Sequence, residues 1–310
     1  MTAPRILLTG ATGFVGRHLS QTLLTQGFTV RAAIREGRQA PAGTEAVTMP
    51  GLDEQPDWSK ALAGVDAVIH AAGIAHATDE IPEARYQAVN HAATLHLARS
   101  AQGQAGRFIF LSSIRAQTGP VAPGRVLTEA DAPQPTDAYG RSKLAAEREL
   151  KTLENLPAAS LRPVLVYGAG VGGNMGALLK LAKLPVPLPF GALHAPRSLV
   201  SVDTLAAAAM HILRSPQPLT GPFIVADPSP VSVAEIVSAL RSGLGRSSAL
   251  LPVPRALLKT GLSVLGRGAM MERLDGALVA DAAALRASGF VPDIETTEGL
   301  QKLARISSQS

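Results

Sequence analysis

The segment Thr9-Gly10-Ala11-Thr12-Gly13-Phe14-Val15-Gly16 constrains this chain more than any other part of it. Three glycines stand between a short apolar run at residues 6–8 and a helical pattern over 16–26 that stops at Gly27. Gly10 permits a tight turn, Gly13 lets a ligand approach the backbone, and Gly16 lets the helix lie close on the strand. The N–H groups that open the helix have no partner within it and face an anion readily. Strand, turn and helix in this order form the first unit of a dinucleotide-binding fold, with Thr12, Phe14 and Val15 sharing the cradle.

The rest of the chain repeats the alternation. Strand-like runs at 29–34, 46–49, 67–70, 108–111 and 160–166 are separated by helical patterns, one of them capped by Asp57 and ending at Gly64. This order predicts an α/β fold, a doubly wound parallel sheet of the Rossmann kind. Past Tyr167 the texture changes: residues 168–173 are rich in glycine and 184–189 in proline, and helices follow at 255–266, at 281–288 and after the capping-box pair Ser232 and Glu235. Residues 1–167, rejoined by about 198–228, are therefore expected to bind the dinucleotide. Residues 168–197 and 229–310 are expected to form a smaller, mostly α substrate-binding domain.

Composition narrows the chemistry. There is no cysteine, hence no disulfide and no thiolate, and the seven histidines show no paired spacing, so no metal is expected. The net charge of +5 suits anionic ligands, yet no Lys/Arg cluster is interleaved with aromatics, which argues against nucleic acid. No apolar run reaches eighteen residues and no leader precedes the first strand, so a soluble cytoplasmic protein with no membrane partner is expected.

Cofactor choice is read at the end of the second strand, nineteen residues past Gly16. An acidic residue there would hold the adenosine ribose of NAD(H); Arg35 stands there instead. Its guanidinium can pair with the 2'-phosphate of NADP(H), so NADP(H) is expected to be preferred, with NAD(H) the alternative. Arg31 lies at an even spacing on the same strand and Arg38 in the loop beyond. The plainer reading leaves Arg35 in solvent.

Tyr139 and Lys143 stand four residues apart, so on a helix they share a face. A nearby cation stabilises phenolate and lowers a tyrosine pKa towards the working range, which makes an acid/base device. Neither Tyr86 nor Tyr167 has such a partner. Ser112 and Ser113 end the fifth strand, where ligands of open α/β sheets gather, and a hydroxyl there can donate to an oxygen that gains charge. A surface helix contact and a polar strand end are the plainer alternatives.

With TGATGFVG at 9–16, HAAG at 70–73, FIFLSS at 108–113, YGRSK at 139–143 and LRPVLVYG at 161–168, the chain resembles the extended short-chain dehydrogenase/reductase family over nearly its whole length. The resemblance implies that Ser113 polarises a substrate oxygen, that Tyr139 is the general acid/base, and that Lys143 tunes Tyr139 and holds the nicotinamide ribose. It places Ala71, Ala72, Gly73, Asn90, Ser112, Pro163 and Val166 along the cofactor cleft. The family's Gly-Asp-Leu adenine contact matches Pro50-Gly51-Leu52, so Leu52 is retained and the carboxylate is not. The stretches 166–174, 187–191 and 197–200 resemble the bacterial UDP-sugar 4-epimerases and 4-keto-sugar reductases. Asn174, Arg197 and Arg273 would then meet a nucleotide-sugar diphosphate. For Arg197 a salt bridge closing a domain interface is the structural alternative, and His76 and His194 receive no role.

The expected activity is NADP(H)-dependent reduction of a nucleotide-bound 4-keto sugar by Ser113, Tyr139 and Lys143. Three alternatives stand beside it: a UDP-sugar 4-epimerase that retains its NAD(P), a ketone reductase resembling dihydroflavonol reductases, and a non-catalytic NADP-binding regulator. A homodimer through the helices around Asn90 and Tyr139 is compatible with the resemblance.

Overall fold

Ile6, Leu7 and Leu8 are all buried because the strand they form lies at the middle of a sheet covered on both faces. The computed structural model describes residues 3–75, 80–119, 121, 124–264 and 276–308. Its first half runs β1 (Arg5–Thr9), α1 (Phe14–Thr25), β2 (Thr29–Arg35), β3 (Glu45–Met49), α2 (Ser59–Leu62) and β4 (Ala67–His70). Then α3 (Glu83–Tyr86) passes through a π-helical stretch (Gln87–Ala92) into α4 (Ala93–Ala101), and β5 (Arg107–Leu111) follows. The second half contains β6 (Val126–Leu127), α5 (Ala138–Leu150), β7 (Ala158–Pro163), β8 (Leu165–Tyr167), α6 (Gly173–Ala182), β9 (Leu199–Ser201) and α7 (Val202–Arg214). It closes with β10 (Gly221–Val225), α8 (Val233–Gly243), α9 (Arg255–Val264), β11 (Val279–Ala280), α10 (Ala283–Ala287) and α11 (Thr296–Ser308).

Seven strands make one parallel sheet in the order β10-β7-β5-β4-β1-β2-β3. The winding reverses between β1 and β4, so the loops leaving their C-terminal ends diverge and open a crevice there. Alternation along β1 sorts the core. Ile6 and Leu8 pack with Leu19 and Leu23 of α1 and with Leu205 and Ala209 of α7, whereas Leu7 packs with Trp58, Leu97, Phe108 and Phe110 on the opposite face. A third cluster, built from Tyr167, Met175, Leu178, Phe190, Leu240, Leu300 and Leu303, is separate from both.

The run 160–166 does not form one strand. Pro163 ends β7 opposite Val225 and has no N–H to continue the ladder, so the chain turns at Val164 and pairs β8 with β9 in a sheet of two strands. β10, which was not among the expected strands, adds the edge beyond β7. Ser232 and Glu235 form the expected capping box, with the Glu235 N–H donating to the Ser232 hydroxyl at 3.2 Å. The expected helix over 255–266 is α9, described to Val264, and that over 281–288 is the shorter α10. The N-cap of α2 is Trp58 rather than Asp57, which stands one residue earlier and accepts from the Ser59 N–H at 2.9 Å. Among the described residues no helix is long and apolar enough to cross a membrane.

Phe108 has no exposed surface and fills the space between β5 and the helices on that face. Phe108→Ala is expected to lower unfolding stability by about 3–5 kcal/mol, read as a shift of the urea midpoint with an unchanged slope.

Candidate functional site

The glycine turn is shaped by close approaches. Gly10 adopts φ +70, and a Cβ there would come within 2.7 Å of the Ala71 carbonyl and the Ala72 nitrogen. A Cβ on Gly16 would fall inside the Gly10 carbonyl, so α1 could not sit this close to the turn with any other residue. Gly13 precedes α1 with no side-chain cap, and no acidic residue occupies the first turn. The leading N–H groups therefore present a positive end to the crevice. Thr12, Phe14 and Val15 lie on this turn and the start of α1. The cradle and its uncapped helix fit the diphosphate of a dinucleotide.

A single chain of hydrogen bonds ties the strand ends together. The Ala72 N–H donates to the Thr9 hydroxyl at 3.2 Å, and Thr9 lies 2.7 Å from His70 Nδ1. His70 Nε2 lies 3.1 Å from the Thr94 hydroxyl, which itself donates to the Asn90 carbonyl at 2.8 Å. Since the Thr94 proton is committed to Asn90, His70 must donate from Nε2 and accept at Nδ1 from Thr9. Burial, helped by the charge of Lys143, holds His70 down at about 3, so the ring is neutral and the direction of the chain is fixed.

Asn90 is completely buried and does not face the cleft as expected. Its Oδ1 accepts from the Ile74 N–H at 2.8 Å, while its Nδ2 donates to the Ile74 carbonyl at 3.1 Å and to the Ser142 hydroxyl at 3.2 Å. It is a clamp on the loop after β4. The π-helical stretch that carries it is the kind of local widening that re-aims one side chain without ending a helix. Gly73 sits under this clamp with φ +154; a Cβ there would stand 2.6 Å from Asn90 Oδ1 and 3.5 Å from Lys143 Nζ. Ala71 and Ala72 are half-buried beside it.

Tyr139, Lys143 and Ser113 converge at the end of β5. Asp137 caps α5 by accepting from the Gly140 N–H at 2.7 Å and is itself held by Arg115 Nε at 2.8 Å. Tyr139, only 8% exposed, lies close enough to the Ser113 hydroxyl for that group to act on its phenol. One turn on, Lys143 donates from Nζ to the Leu111 carbonyl at 2.9 Å and lies 4.5 Å from the centre of the Phe110 ring. Burial pulls its ammonium down to about 7, against an upward pull from Glu147.

Lys143 does not lower the pKa of Tyr139 as the spacing implied. Burial pushes the phenol up, the nearby Ser113 hydroxyl works against it, and the charges felt are Asp137, raising, and Arg115, lowering. The lysine is drawn to Leu111 and Phe110 instead. Tyr139 is consequently a protonated phenol at neutral pH, fit to give a proton to an oxygen placed beside it.

Ser112 also differs from expectation. It is buried, and its hydroxyl donates to Glu147, which takes Arg162 Nε at 3.0 Å on both oxygens. Arg162 donates in turn to Gln117. This buried pair fastens α5 to β7 directly behind Lys143, and nothing in the local spacing pointed to it.

Arg35 is exposed at the tip of β2, and no carboxylate among the described residues pairs with it. Arg31 is not its companion. It is buried, donates to the carbonyls of Ala61 at 2.9 Å and Ala63 at 2.8 Å, and pairs with Glu45 at 3.0 Å, so it closes the end of α2. Leu52 begins a 3-10 turn, half-buried against the core, and the neighbouring Asp53 is bound by Arg85. Pro163 is buried and Val166 half-buried where β7 gives way to β8. Asn174 is exposed in the first turn of α6, behind Gly172. Arg197 bridges to Val231 and Leu278 through its backbone and donates to the Gly276 carbonyl at 3.0 Å, and burial holds its guanidinium below the usual range. His194 is exposed; His76 and Arg273 lie outside the described residues.

Residues 6–225 match the NAD dependent epimerase/dehydratase family, and the chain belongs to it. It is thus an NAD(P)-dependent enzyme of the epimerase/dehydratase type. It is 33% identical to a UDP-glucose 4-epimerase from Vibrio cholerae over 97% of this chain and 94% of that protein. It is 31% identical to a 3-diazoavenalumate denitrifying reductase from a Streptomyces species over 82% of this chain and 84% of the relative. The solved UDP-glucuronic acid 4-epimerase from Bacillus cereus in complex with NAD superposes with a TM-score of 0.76 at 20% identity, covering 98% of this chain and 96% of that one.

A lysine held near 7 in the folded chain titrates near 10.5 when unfolded, so the unfolded state binds more protons between those values. Its burial is a penalty that is full below about pH 7 and relieved as pH rises towards 10.5. Lys143→Met should therefore raise unfolding free energy at pH 7 by about 1–2 kcal/mol. The gain should shrink at pH 9.5 when both proteins are compared in urea.

Proposed function

We propose that this enzyme reduces a 4-keto group on a nucleotide-bound sugar with NADPH. The observation that carries the reading is the convergence of a protonated Tyr139 phenol, the Ser113 hydroxyl and a buried Lys143 at the end of β5. NADPH, when bound, supplies the hydride. Ser113 donates a hydrogen bond to the keto oxygen and fixes the carbonyl against the phenol. Tyr139 gives its proton to that oxygen as negative charge develops there, and Lys143, on the same helix face, holds the nicotinamide ribose beside it. Carbonyl plus hydride plus proton gives the alcohol, and solvent returns the proton to Tyr139.

In this reading the turn at Gly10, Gly13 and Gly16 receives the diphosphate and Arg35 the 2'-phosphate. Residues 1–167 with 198–228 bind the cofactor, and residues 168–197 and 229–310 bind the sugar nucleotide. Asn174 and Arg197 meet its diphosphate, a role their donors suit. Whole-length similarity to a UDP-glucose 4-epimerase supports a sugar nucleotide handled at C4, and similarity to a Streptomyces reductase supports net reduction. The same 4-epimerase similarity favours a second reading, in which the same residues return the hydride to the opposite face of one sugar and the cofactor stays bound.

Incubation with UDP-sugars and UDP-4-keto sugars plus NADPH separates the two. Net loss of reduced nicotinamide absorbance with a 4-keto substrate supports reduction; interconversion of 4-epimers with no net loss assigns the epimerase. Tyr139→Phe is expected to lower kcat by about 10²–10⁴-fold while NADPH titration by fluorescence stays unchanged. Arg35→Asp is expected to weaken NADPH by roughly 10–100-fold and to leave NADH unchanged or tighter. Equal affinities for the two cofactors in the unmodified protein would defeat the role given to Arg35.

A further inference from the structure

Nine large apolar side chains are exposed among the described residues, and five of them, Leu184, Val186, Leu251, Leu257 and Val264, come from two stretches that run side by side. The Leu188 N–H donates to the Ala249 carbonyl at 3.0 Å, the Leu251 N–H to Leu188 at 2.8 Å, and the Gly191 N–H to Leu251 at 3.0 Å. Arg241 donates to the Leu184 carbonyl at 3.0 Å and also to that of Val186, which fixes the first stretch from below. The second stretch leads straight into α9, where Leu258 packs on the third core cluster. Leu257 and Val264, seven residues apart and so on one face, are 64% and 81% exposed. Helix α9 is thus seated by one edge and shows an apolar edge outward.

Charge is distributed over the same stretches in one sign only. No Asp or Glu occurs in residues 155–202 or 236–271. Lys180, Lys183, Arg246, Arg255 and Lys259 are exposed there. Aliphatic tips set among basic side chains, with no acidic neighbour in sequence, form the pattern of a helix that lies in a membrane interface rather than one that crosses it. A second copy of the chain would bring two basic strips together. A single-stranded nucleic acid would need exposed rings to stack on, and the strip has none, since its Phe190 is buried.

We propose that the strip made by residues 184–188, 249–258 and α9 rests on an anionic lipid surface and holds the enzyme peripherally at a membrane. A peripheral contact needs no spanning segment, so it is compatible with the lack of one among the described residues. None of Tyr139, Lys143 and Ser113 belongs to the strip, and lipid binding is read directly rather than through turnover.

Cosedimentation of the full chain with vesicles tests this. Partition is expected with mixed phosphatidylcholine and phosphatidylglycerol, to weaken as salt is raised, and to be absent with phosphatidylcholine alone. Leu257→Asp and Lys259→Glu should each weaken it by about tenfold or more. Both variants should keep NADPH binding, which reports that they fold, and Val291→Asp, exposed outside the strip, should sediment like the unmodified protein. Failure to sediment with anionic vesicles, equal partition on neutral ones, or indifference to Leu257→Asp overturns the proposal. So does a dimer in solution that Leu257→Asp dissociates while lipid binding is absent, which assigns the strip to a second copy.

Discussion

Lys143 is an ammonium folded away from water, and much of the crevice is arranged around it. Only 5% of its surface is exposed, and what replaces water is one carbonyl, Leu111, and the face of Phe110. Cation and ring attract, yet one hydrogen bond and one ring do not replace the hydration of an ammonium. The shortfall appears as a pKa drawn down to about 7. The Glu147 carboxylate one turn away limits the loss, and it is itself paired with Arg162 and takes the Ser112 hydroxyl. Positioning of the lysine thus reaches through α5 into β5 and β7.

The same economy governs the loops on either side. Hydrogen bonds from Ala72 through Thr9, His70 and Thr94 to Asn90 all point one way, because the neutral histidine and the committed Thr94 proton leave no other arrangement. Asn90 then pins Ile74 from both sides and leaves Gly73 against Lys143 with no room for a Cβ. The site is therefore held by buried polar groups whose partners come from β1, β4, α4 and α5. Such networks specify one arrangement when every member is satisfied and fail together when one is lost.

What could be read from the sequence was local. Gly10, Gly13 and Gly16 declare a turn because their spacing has only one use between a strand and a helix, and Tyr139 and Lys143 share a face by helical geometry alone. The parallel sheet followed from strands alternating with helices. What escaped depends on partners distant in the chain. Ser112 faces Glu147, thirty-five residues on, and Arg31 reaches Ala61, thirty on, so each looked like a cleft residue until packing showed where it turned. Asn90 reads as a lining residue unless the π-helical stretch that swings it inward is known. The break at Pro163 was visible as a proline, but only the neighbouring strand shows that the ladder ends there.

If burial sets the chemistry of Lys143, its titration should be displaced in the intact protein. Heteronuclear NMR of 15N,13C-lysine-labelled protein, with the Lys143 signal assigned by its loss in Lys143→Met, follows that one ammonium directly. A midpoint near 7 is the result expected. A signal that stays protonated to the ordinary lysine range near 10.5 would mean that the ammonium is solvated or fully paired, and the account of the site built on its burial would be wrong.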